Sequence, residues 1–484
     1  MTATDIRYDA PGALPAAALN TGADAPSKMA RLMLLMFMLG MVLPVWIRVG
    51  PLLLMPHRIV LLLTFVPMFF LLVSGRAGRL QIFDFLMLAS ALWAVLALTV
   101  GVVPEGGSLI EQVGIYMLES FGAYMLARVA IRSAADFIYF AKLFFLALLV
   151  LVPFGVVEAI THRAIMLELI PMGPSINHQL PRWGLRRAQT VFSHPILFGL
   201  FCSAGLGLMF YVMRSSLTRF SGAVLAAVGT FVSLSTGALI SGVVQGVFMA
   251  WDRVMRRVPR RWLIFSILFA MLYVAIDLLS NRTPFHVLVT YASFNSGNAY
   301  NRILIWRFGM ENVWANPMFG LGANIDQWAR PSWMSSSADN FWLLHTMRFG
   351  IPSFLFLAVA LFYIIRRAAL APLTDPRAIA CRAGWLIAIG GMIITGGTVH
   401  YWHAVMAFVM FFFGAGVWII EAGERARNQP EAGEAGPDIA EVSDPGALVY
   451  TREPAQHSRD RPTPPPEPVT RATPPRRAIR RGDR

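Results

Sequence analysis

Residues 137–160 read FIYFAKLFFLALLVLVPFGVVEAI, and this stretch decides the fold class. Lys142 and Glu158 are its only charged residues. An α-helix crosses the roughly 30 Å of bilayer hydrocarbon with about 20 predominantly apolar residues. The stretch therefore predicts a transmembrane helix.

Eleven further apolar segments give twelve predicted spans. The twelve are 32–48, 56–73, 82–103, 109–127, 137–160, 190–213, 219–235, 237–251, 262–279, 341–365, 383–399 and 404–420. The composition agrees with them, because 56% of the residues are hydrophobic and only 14% are charged, less than the surface of a soluble domain requires. The predicted fold is an all-α polytopic membrane protein.

The formal net charge of +14 comes almost wholly from arginine at the ends of apolar segments and in the C-terminal tail. The connections after the second, fourth, sixth, eighth and tenth spans, counted with the first residue of the span that follows, each hold at least two arginines. Most short loops on the other side hold none; Arg48 and Arg58 beside the first are the exception. Because cytoplasmic loops are enriched in arginine and lysine, both termini are predicted in the cytoplasm. This distribution of charge does not favour nucleic acid as a partner.

Four segments outside the spans differ in character. Residues 1–29 and the Pro- and Arg-rich tail 421–484 are predicted to be disordered and cytoplasmic. A partner-binding role for the tail stays open. Residues 161–189 and 280–340 are predicted periplasmic loops that carry arginines. Long loops escape the charge rule, so their arginines can bind a ligand.

The second long loop contains a predicted helix at 301–316. Its apolar residues, Trp306 among them, recur at three- and four-residue spacing. Arg302 is expected to start this helix and Asn301 to cap it. Pro317 and the glycines after it predict a tight turn.

Asp339 and Asn340 lie where the chain re-enters the membrane at Phe341. A carboxylate at that depth is costly unless it is paired or hydrated, and such residues are usually functional. Asp339 therefore has two interpretations: it is a functional residue, or it is the N-cap of the following helix. The two interpretations are compatible.

The first long loop ends in Arg186 and Arg187, directly before a predicted span. A guanidinium group can donate two parallel hydrogen bonds to phosphate oxygens, and it stays charged, which suits the binding of a diphosphate. Contact with lipid headgroups is the alternative. His194 precedes Pro195, and it is either a base or a hydrogen-bonded packing residue.

Other polar residues lie inside apolar segments, among them Glu111, Glu119 and Arg348. Some of them are expected to pair with arginines. His400 and His403 resemble a metal-binding pair, but a third ligand is missing nearby and the aromatic residues between them favour an interfacial belt. Neither a metal nor a cofactor is expected.

Two parts of the sequence carry a family resemblance. The first is RAQTVFSHPILFG at 187–199; the second extends from Asn301-Arg302 through NPMFGLG at 316–322 and DNFW at 339–342 to RFG at 348–350. Together they resemble the O-antigen ligase/polymerase family, especially its exopolysaccharide-polymerase-like members, over residues 185–355. The resemblance implies a metal-independent glycosyltransferase with a polytopic, GT-C-like fold. Such enzymes act on polyprenyl-diphosphate-linked glycans at the outer face of the bacterial inner membrane.

The resemblance also implies roles for individual residues. Arg187 and Arg302 would hold the donor diphosphate, and Asp339 completes the predicted catalytic set, although the identity of the base stays open. Asp339 stands where ligases of the family usually have a histidine, which favours a polymerase-type member. The family's usual arginine after a short Ser/Thr turn is absent, with Gly237 in its place. The predicted substrate-binding residues are Arg186, Asn340, Trp306, His194 and Arg330.

The predicted function is the polymerisation of lipid-linked repeat units into a surface polysaccharide by glycosyl transfer from undecaprenyl diphosphate. The alternatives are an O-antigen ligase that transfers finished glycan to a lipid acceptor, and a transporter or non-catalytic subunit of polysaccharide export. A transporter would favour two matching halves with broken helices, which the sequence does not indicate. The expected partners are the undecaprenyl-diphosphate-linked glycan, membrane lipid and other export or chain-length proteins.

Overall fold

The computed structural model describes residues 28–50, 52–100, 108–281, 283, 287 and 296–428. The predicted N-terminal segment 1–29 lies outside the described residues except for its last two positions. Most of the predicted tail 421–484 also lies outside them.

The described residues are almost entirely helical. The α-helices are α1 (Lys28–Val42), α2 (Pro56–Val73), α3 (Ile82–Val100), α4 (Leu109–Met117), α5 (Ala123–Ala130), α6 (Ala134–Thr161), α7 (Ile165–Leu169), α8 (Pro195–Ser203), α9 (Gly205–Val212), α10 (Ser216–Val232), α11 (Thr236–Val254), α12 (Arg261–Leu279), α13 (Ser296–Ala315), α14 (Phe341–Ala369), α15 (Pro376–Gly396), α16 (His403–Gly414) and α17 (Val417–Asn428). A π-helical turn, Leu118–Gly122, joins α4 to α5, and Gly322–Gln327 forms a 3-10 helix. Strands β1 (Ile47–Val49) and β2 (Leu52–Leu54) form a small antiparallel hairpin with Ile47 opposite Leu54.

Eight segments of the described chain are long and apolar enough to cross a membrane. They are Pro56–Val73, Ile82–Val100, Ala134–Thr161, Pro195–Val212, Arg261–Leu279, Phe341–Ala369, Pro376–Gly396 and His403–Asn428. The chain is therefore a multi-pass helical membrane protein, as predicted. Segments 32–48, 109–127, 219–235 and 237–251 are not among these eight, so the count of twelve stays a prediction, as does the GT-C-like arrangement. The first ends early, because α1 stops at Val42 before the β-hairpin, and the second contains a π-turn within a continuous helical segment.

The core lies around α16, where aromatic rings interlock. The Phe144 ring lies 4.7 Å from that of Phe201 and 5.5 Å from that of Phe408. Buried aromatic pairs of this geometry stabilise packing beyond their buried area. By contrast, none of the residues of α12 is buried. A helix that is apolar all round and exposed on every side suits a lipid-facing position.

The cytoplasmic tail was predicted to begin at 421, but α17 continues to Asn428. Two ion pairs hold this part of the helix: the buried Arg128 of α5 lies 2.7 Å from the Glu421 carboxylate, and the partly exposed Arg367 of α14 pairs with Glu424. The predicted boundary is therefore wrong, because pairing with distant arginines keeps this acidic segment helical. Composition alone gave no sign of those partners.

A turn at 316–322 fits into a break in α14, and this contact positions the second long loop. Gly350 interrupts α14 with a φ of +83°. There, the Ile351 N–H donates to the Pro317 carbonyl oxygen at 2.8 Å, and the Leu321 N–H donates to Met347 at 2.8 Å. The predicted tight turn is confirmed, and it fixes the end of α13 against α14.

Gly350→Ala is expected to lower the free energy of unfolding by about 1–3 kcal/mol. A side chain at this φ is strained, and its Cβ would clash with the Met318 carbonyl oxygen. The measurement is thermal unfolding of the purified protein in detergent. Gly246→Ala in α11 is the matched control, since nothing lies within 4 Å of its added Cβ. Equal midpoints for both variants would contradict the role given to Gly350.

Candidate functional site

Helix α13 carries Arg302, but it begins earlier than predicted. It extends from Ser296 to Ala315, so Asn301 does not cap it and Arg302 does not start it. Residues 296–300, with the sequence SGNAY, form the first turns of the helix, which local sequence preference did not indicate. The buried face of α13 includes Leu304 and Ile305, which pack near Met347 of α14. This packing leaves Arg302 half-buried.

Trp306 does not belong to the buried face of α13. Its side chain is 43% exposed, whereas Leu304, Ile305 and Val313 are buried. Val313 and Met310 of the predicted apolar stripe do pack into this core, so Trp306 departs from the stripe. Exposure leaves Trp306 accessible, and its predicted role in binding substrate stays a prediction.

Asn340, rather than Asp339, caps α14. The Asn340 side-chain oxygen accepts from the Leu343 N–H at 3.0 Å, and Asn340 is buried. The interpretation of Asp339 as the cap is therefore wrong. Instead, the Asp339 carboxylate accepts a hydrogen bond from the Ser337 hydroxyl at 3.0 Å. Asp339 and Asn340 are both good capping residues, so the sequence could not decide between them.

Arg187 lies buried at the end of the first long loop. Its guanidinium donates to the Gln179 side-chain oxygen, and its Nε has no hydrogen-bond partner among the described residues. The Gln179 amide also contacts Nε2 of His194 at 2.6 Å. Gln179 thus joins the arginine and the histidine, and sequence spacing did not single it out.

His194 has a structural role in the described chain. Its Nδ1 accepts from the Ile196 N–H at 3.1 Å and so caps α8. Its ring also packs edge-on against Trp402, with 5.7 Å between centroids. These contacts agree with the interpretation of His194 as a hydrogen-bonded packing residue. Binding of substrate by His194 stays a prediction.

The electrostatics link Arg187 and Arg302 to one carboxylate. Burial lowers the pKa of Arg187 to about 10; the nearby Arg182 also lowers it, and the Asp339 carboxylate opposes this. Burial likewise lowers the pKa of Arg302, with Asp339 opposing and Arg182 adding to the effect. Charges act on each other in this way only at short range. Three separate segments thus contribute to one group, Arg182, Arg187, Arg302 and Asp339, which we call the arginine cluster.

Arg182 is the member of the cluster that the sequence analysis missed. Its guanidinium donates to the Leu234 carbonyl oxygen at 2.6 Å, in the turn between α10 and α11. Ser235-Thr236-Gly237 follows directly, where the resemblance led us to expect an arginine and Gly237 stands instead. Arg182 therefore brings a guanidinium to this turn from another loop. Its presence in an arginine-bearing long loop was the only signal in the sequence.

Arg186 and Arg330 hold the loops in shape. Arg186 pairs with Glu158 at the end of α6 at 3.4 Å and donates to the carbonyl oxygens of His162 and Asn177 at 3.2 Å each. Arg330 donates to the carbonyl oxygens of its own loop, including that of Trp328 at 3.0 Å. These contacts do not place either side chain in the arginine cluster. Their predicted binding of substrate stays a prediction.

A cavity of about 480 Å³ borders the arginine cluster, and we call it the chamber. Ser337 and Ala338, the two residues before Asp339, line it. Trp402 lines it as well and donates to the Ser193 hydroxyl at 3.2 Å. The chamber therefore meets the cluster along the chain next to Asp339.

The cluster and chamber together allow a particular chemistry. Guanidinium groups that are partly removed from water bind phosphate oxygens strongly and stabilise negative charge on a leaving group. A neighbouring carboxylate can accept a proton. The chamber adds space for an uncharged part of a ligand next to these groups.

These features define a multi-pass helical membrane protein with a cationic loop cluster beside a partly open cavity. Residues 221–358 match the family model described as O-antigen ligase. Over this region the chain is similar to the O-antigen ligase family, which confirms the resemblance seen in the sequence. The match includes Arg302 and Asp339, whereas Arg182 and Arg187 precede it. No match was found among curated proteins.

Proposed function

We propose that this chain polymerises lipid-linked oligosaccharide repeat units at the periplasmic face of the bacterial inner membrane. The donor glycan would be carried on undecaprenyl diphosphate, and the acceptor would be a second lipid-linked glycan. The observation that supports this most is the shared influence of Asp339 on Arg187 and Arg302, which come from different loops. The O-antigen ligase match supports a role in polysaccharide assembly and a glycosyltransferase-like activity.

In the proposed reaction, Arg187 and Arg302 bind the donor diphosphate, and Arg182 adds a third positive charge. The acceptor hydroxyl oxygen attacks the anomeric carbon while the bond from that carbon to the diphosphate oxygen breaks. The electron pair of that bond leaves with the diphosphate, whose charge the guanidinium groups stabilise. Asp339 accepts the proton of the acceptor hydroxyl and later releases it to water. The activated leaving group needs little else from the protein.

The orientation of the chain belongs to the same proposal. With both termini in the cytoplasm, the loops 161–189 and 280–340 face the periplasm, as the arginine distribution predicts. The donor would then reach the cluster from the outer leaflet. Labelling of single cysteines placed in these loops by a membrane-impermeant reagent tests this orientation.

A second candidate function is ligation of finished glycan to a lipid acceptor, which the description of the matched family favours. Asp339 before Asn340 favours polymerisation, because the family's ligases usually have a histidine there. Both reactions use the same donor diphosphate. They differ in which lipid-linked species accumulates when the protein is missing.

Deletion of the gene is expected to leave single repeat units on the lipid carrier, detected by mass spectrometry of extracted lipids. Finished polymer left on lipid would instead identify a ligase. Complementation with the Arg302→Ala variant separates catalysis from assembly, since a non-catalytic subunit would still restore polymer. An unchanged lipid profile in the deletion strain would contradict both transfer reactions.

A further inference from the structure

The chamber has the size and the walls of a site for a small molecule. Its volume of about 480 Å³ falls within the range of roughly 300–1,000 Å³ that is typical of ligand pockets. Ser336 and Ser337 at its edge are exposed, while Phe341 and Tyr401 in its wall are buried. A ligand can therefore enter beside the serines and contact the aromatic wall.

Aromatic rings line one part of the chamber. The Tyr116 ring lies 4.5 Å from that of Phe349, and the Phe341 ring lies 4.9 Å from that of Tyr401. Such rings offer flat apolar surfaces with a polar edge. The C–H faces of a pyranose ring match surfaces of this kind.

Hydrogen-bonding groups line the rest. Arg348 donates to the side-chain oxygen of Gln112 at 3.0 Å, and Glu111 and Asp326 line the same space. The buried Nε of Arg348 has no hydrogen-bond partner in the described chain. This set offers both donors and acceptors, as a ring of sugar hydroxyls requires. A polyprenyl or acyl chain would instead leave these charged groups desolvated and unpaired.

The charges of the chamber select against an anionic ligand. Arg58 is neutralised by Glu119, whose carboxylate lies 2.7 Å from its Nε. Arg348 is then outnumbered by Glu111 and Asp326. His400 adds no charge, because burial first and Arg348 second lower its pKa to about 3. The side chains that line the chamber therefore carry a net negative charge, which would repel the carboxylate of an acidic sugar bound among them.

We propose that the chamber binds an uncharged saccharide, with Arg348 and Gln112 holding its hydroxyl groups. Within the proposed function, this saccharide is the end of the acceptor glycan. Its hydroxyl then lies at the border with the arginine cluster, where Asp339 can take the proton. The identity of the acceptor rests on the proposed function, whereas binding of the sugar can be measured without any transfer.

The test uses the full-length protein in detergent with soluble probes, namely methyl glucoside, methyl galactoside, methyl mannoside and glucuronate. Saturation-transfer NMR reports their binding. At least one methyl hexoside is expected to bind at least tenfold more tightly than glucuronate. Glu111→Gln removes one negative charge from the chamber, so it is expected to reduce the ratio of hexoside affinity to glucuronate affinity. Glucuronate binding as tightly as every hexoside, or no binding of any hexoside, would overturn the proposal.

Variants locate the bound sugar. Arg348→Gln and Gln112→Ala are each expected to weaken hexoside binding at least fivefold. If the arginine variant does not fold, Gln112→Ala still tests the same site. Arg307→Gln is the control, because Arg307 is exposed on α13 and faces Glu311 at 3.7 Å, away from the chamber. Unchanged hexoside binding in both chamber variants would overturn the assignment.

The outcome also separates this proposal from the proposed function. Hexoside binding in a protein that shows no glycan transfer would overturn the proposed function and retain the saccharide site. Transfer without hexoside binding would overturn the saccharide site and retain the proposed function. Arg302→Ala is expected to lose transfer while its hexoside affinity stays within twofold of the wild type.

Discussion

Arg302→Ala and Arg187→Ala are each expected to lower glycan transfer by about 10²–10³-fold, the usual cost of removing one group that stabilises charge in the transition state. Both guanidinium groups lie near Asp339, and both are partly removed from water, so their charge is weakly screened. The measurement is polymer yield and length in a deletion strain that carries each variant. Protein in the membrane fraction is compared by immunoblot.

Arg307→Ala provides the matched control for Arg302→Ala. Arg307 lies on the same helix, but its side chain is 72% exposed and its nearest carboxylate is that of Glu311. Its removal is expected to leave polymer yield unchanged, because exposed ion pairs of this kind contribute little. Arg302→Lys keeps the charge but loses the paired donors, so we expect an intermediate loss.

The buried position of Arg187 calls for a second comparison. Arg187 contacts Gln179, so alanine at 187 also removes a structural contact. Gln179→Ala removes that contact and keeps the guanidinium, and we expect a loss of transfer of less than tenfold. Normal polymer length and yield in both arginine variants would show that the cluster does not bind the donor diphosphate.

Much of the helical framework could be predicted from the sequence, because lipid requires long apolar segments and each one is visible locally. The predicted 82–103 and 341–365 correspond to α3 and α14. The β-hairpin at 47–54 was missed, since its residues are as apolar as those of a helix end. The break at Gly350 was also missed, because only the turn that packs against it requires a positive φ there.

The candidate site was harder to predict, since its parts come from distant positions. Asp339 and Asn340 both favour helix caps, and only the fold shows that Asn340 forms the cap. Arg182 and Leu234 lie 52 positions apart, and Arg348 and Gln112 lie 236 apart. No local pattern reports such pairs. The chamber combines α4, α14 and residues 400–403, so its existence could not be read from any single motif.

Asp339→Asn is expected to lower the turnover rate of transfer by about 10²–10⁴-fold, the range by which a positioned general base contributes. The amide can still accept the hydrogen bond from Ser337, which the carboxylate accepts at 3.0 Å, but it cannot take a proton from the acceptor. Ser337→Ala is the control: it removes the hydrogen bond and keeps the carboxylate, so we expect a change of only a few-fold.

The affinity for the donor distinguishes two roles of Asp339, that of a general base and that of an electrostatic partner of the arginines. Asp339 raises the pKa of both Arg187 and Arg302, which means that it attracts their charge. Its neutralisation should leave both guanidinium groups better able to bind a diphosphate, so the KM for the lipid-linked donor should stay the same or fall while kcat falls. Steady-state kinetics with purified enzyme and donor measure both constants. If kcat is retained and only KM changes, Asp339 tunes the arginines and another group must take the proton, because a lost base cannot leave turnover intact.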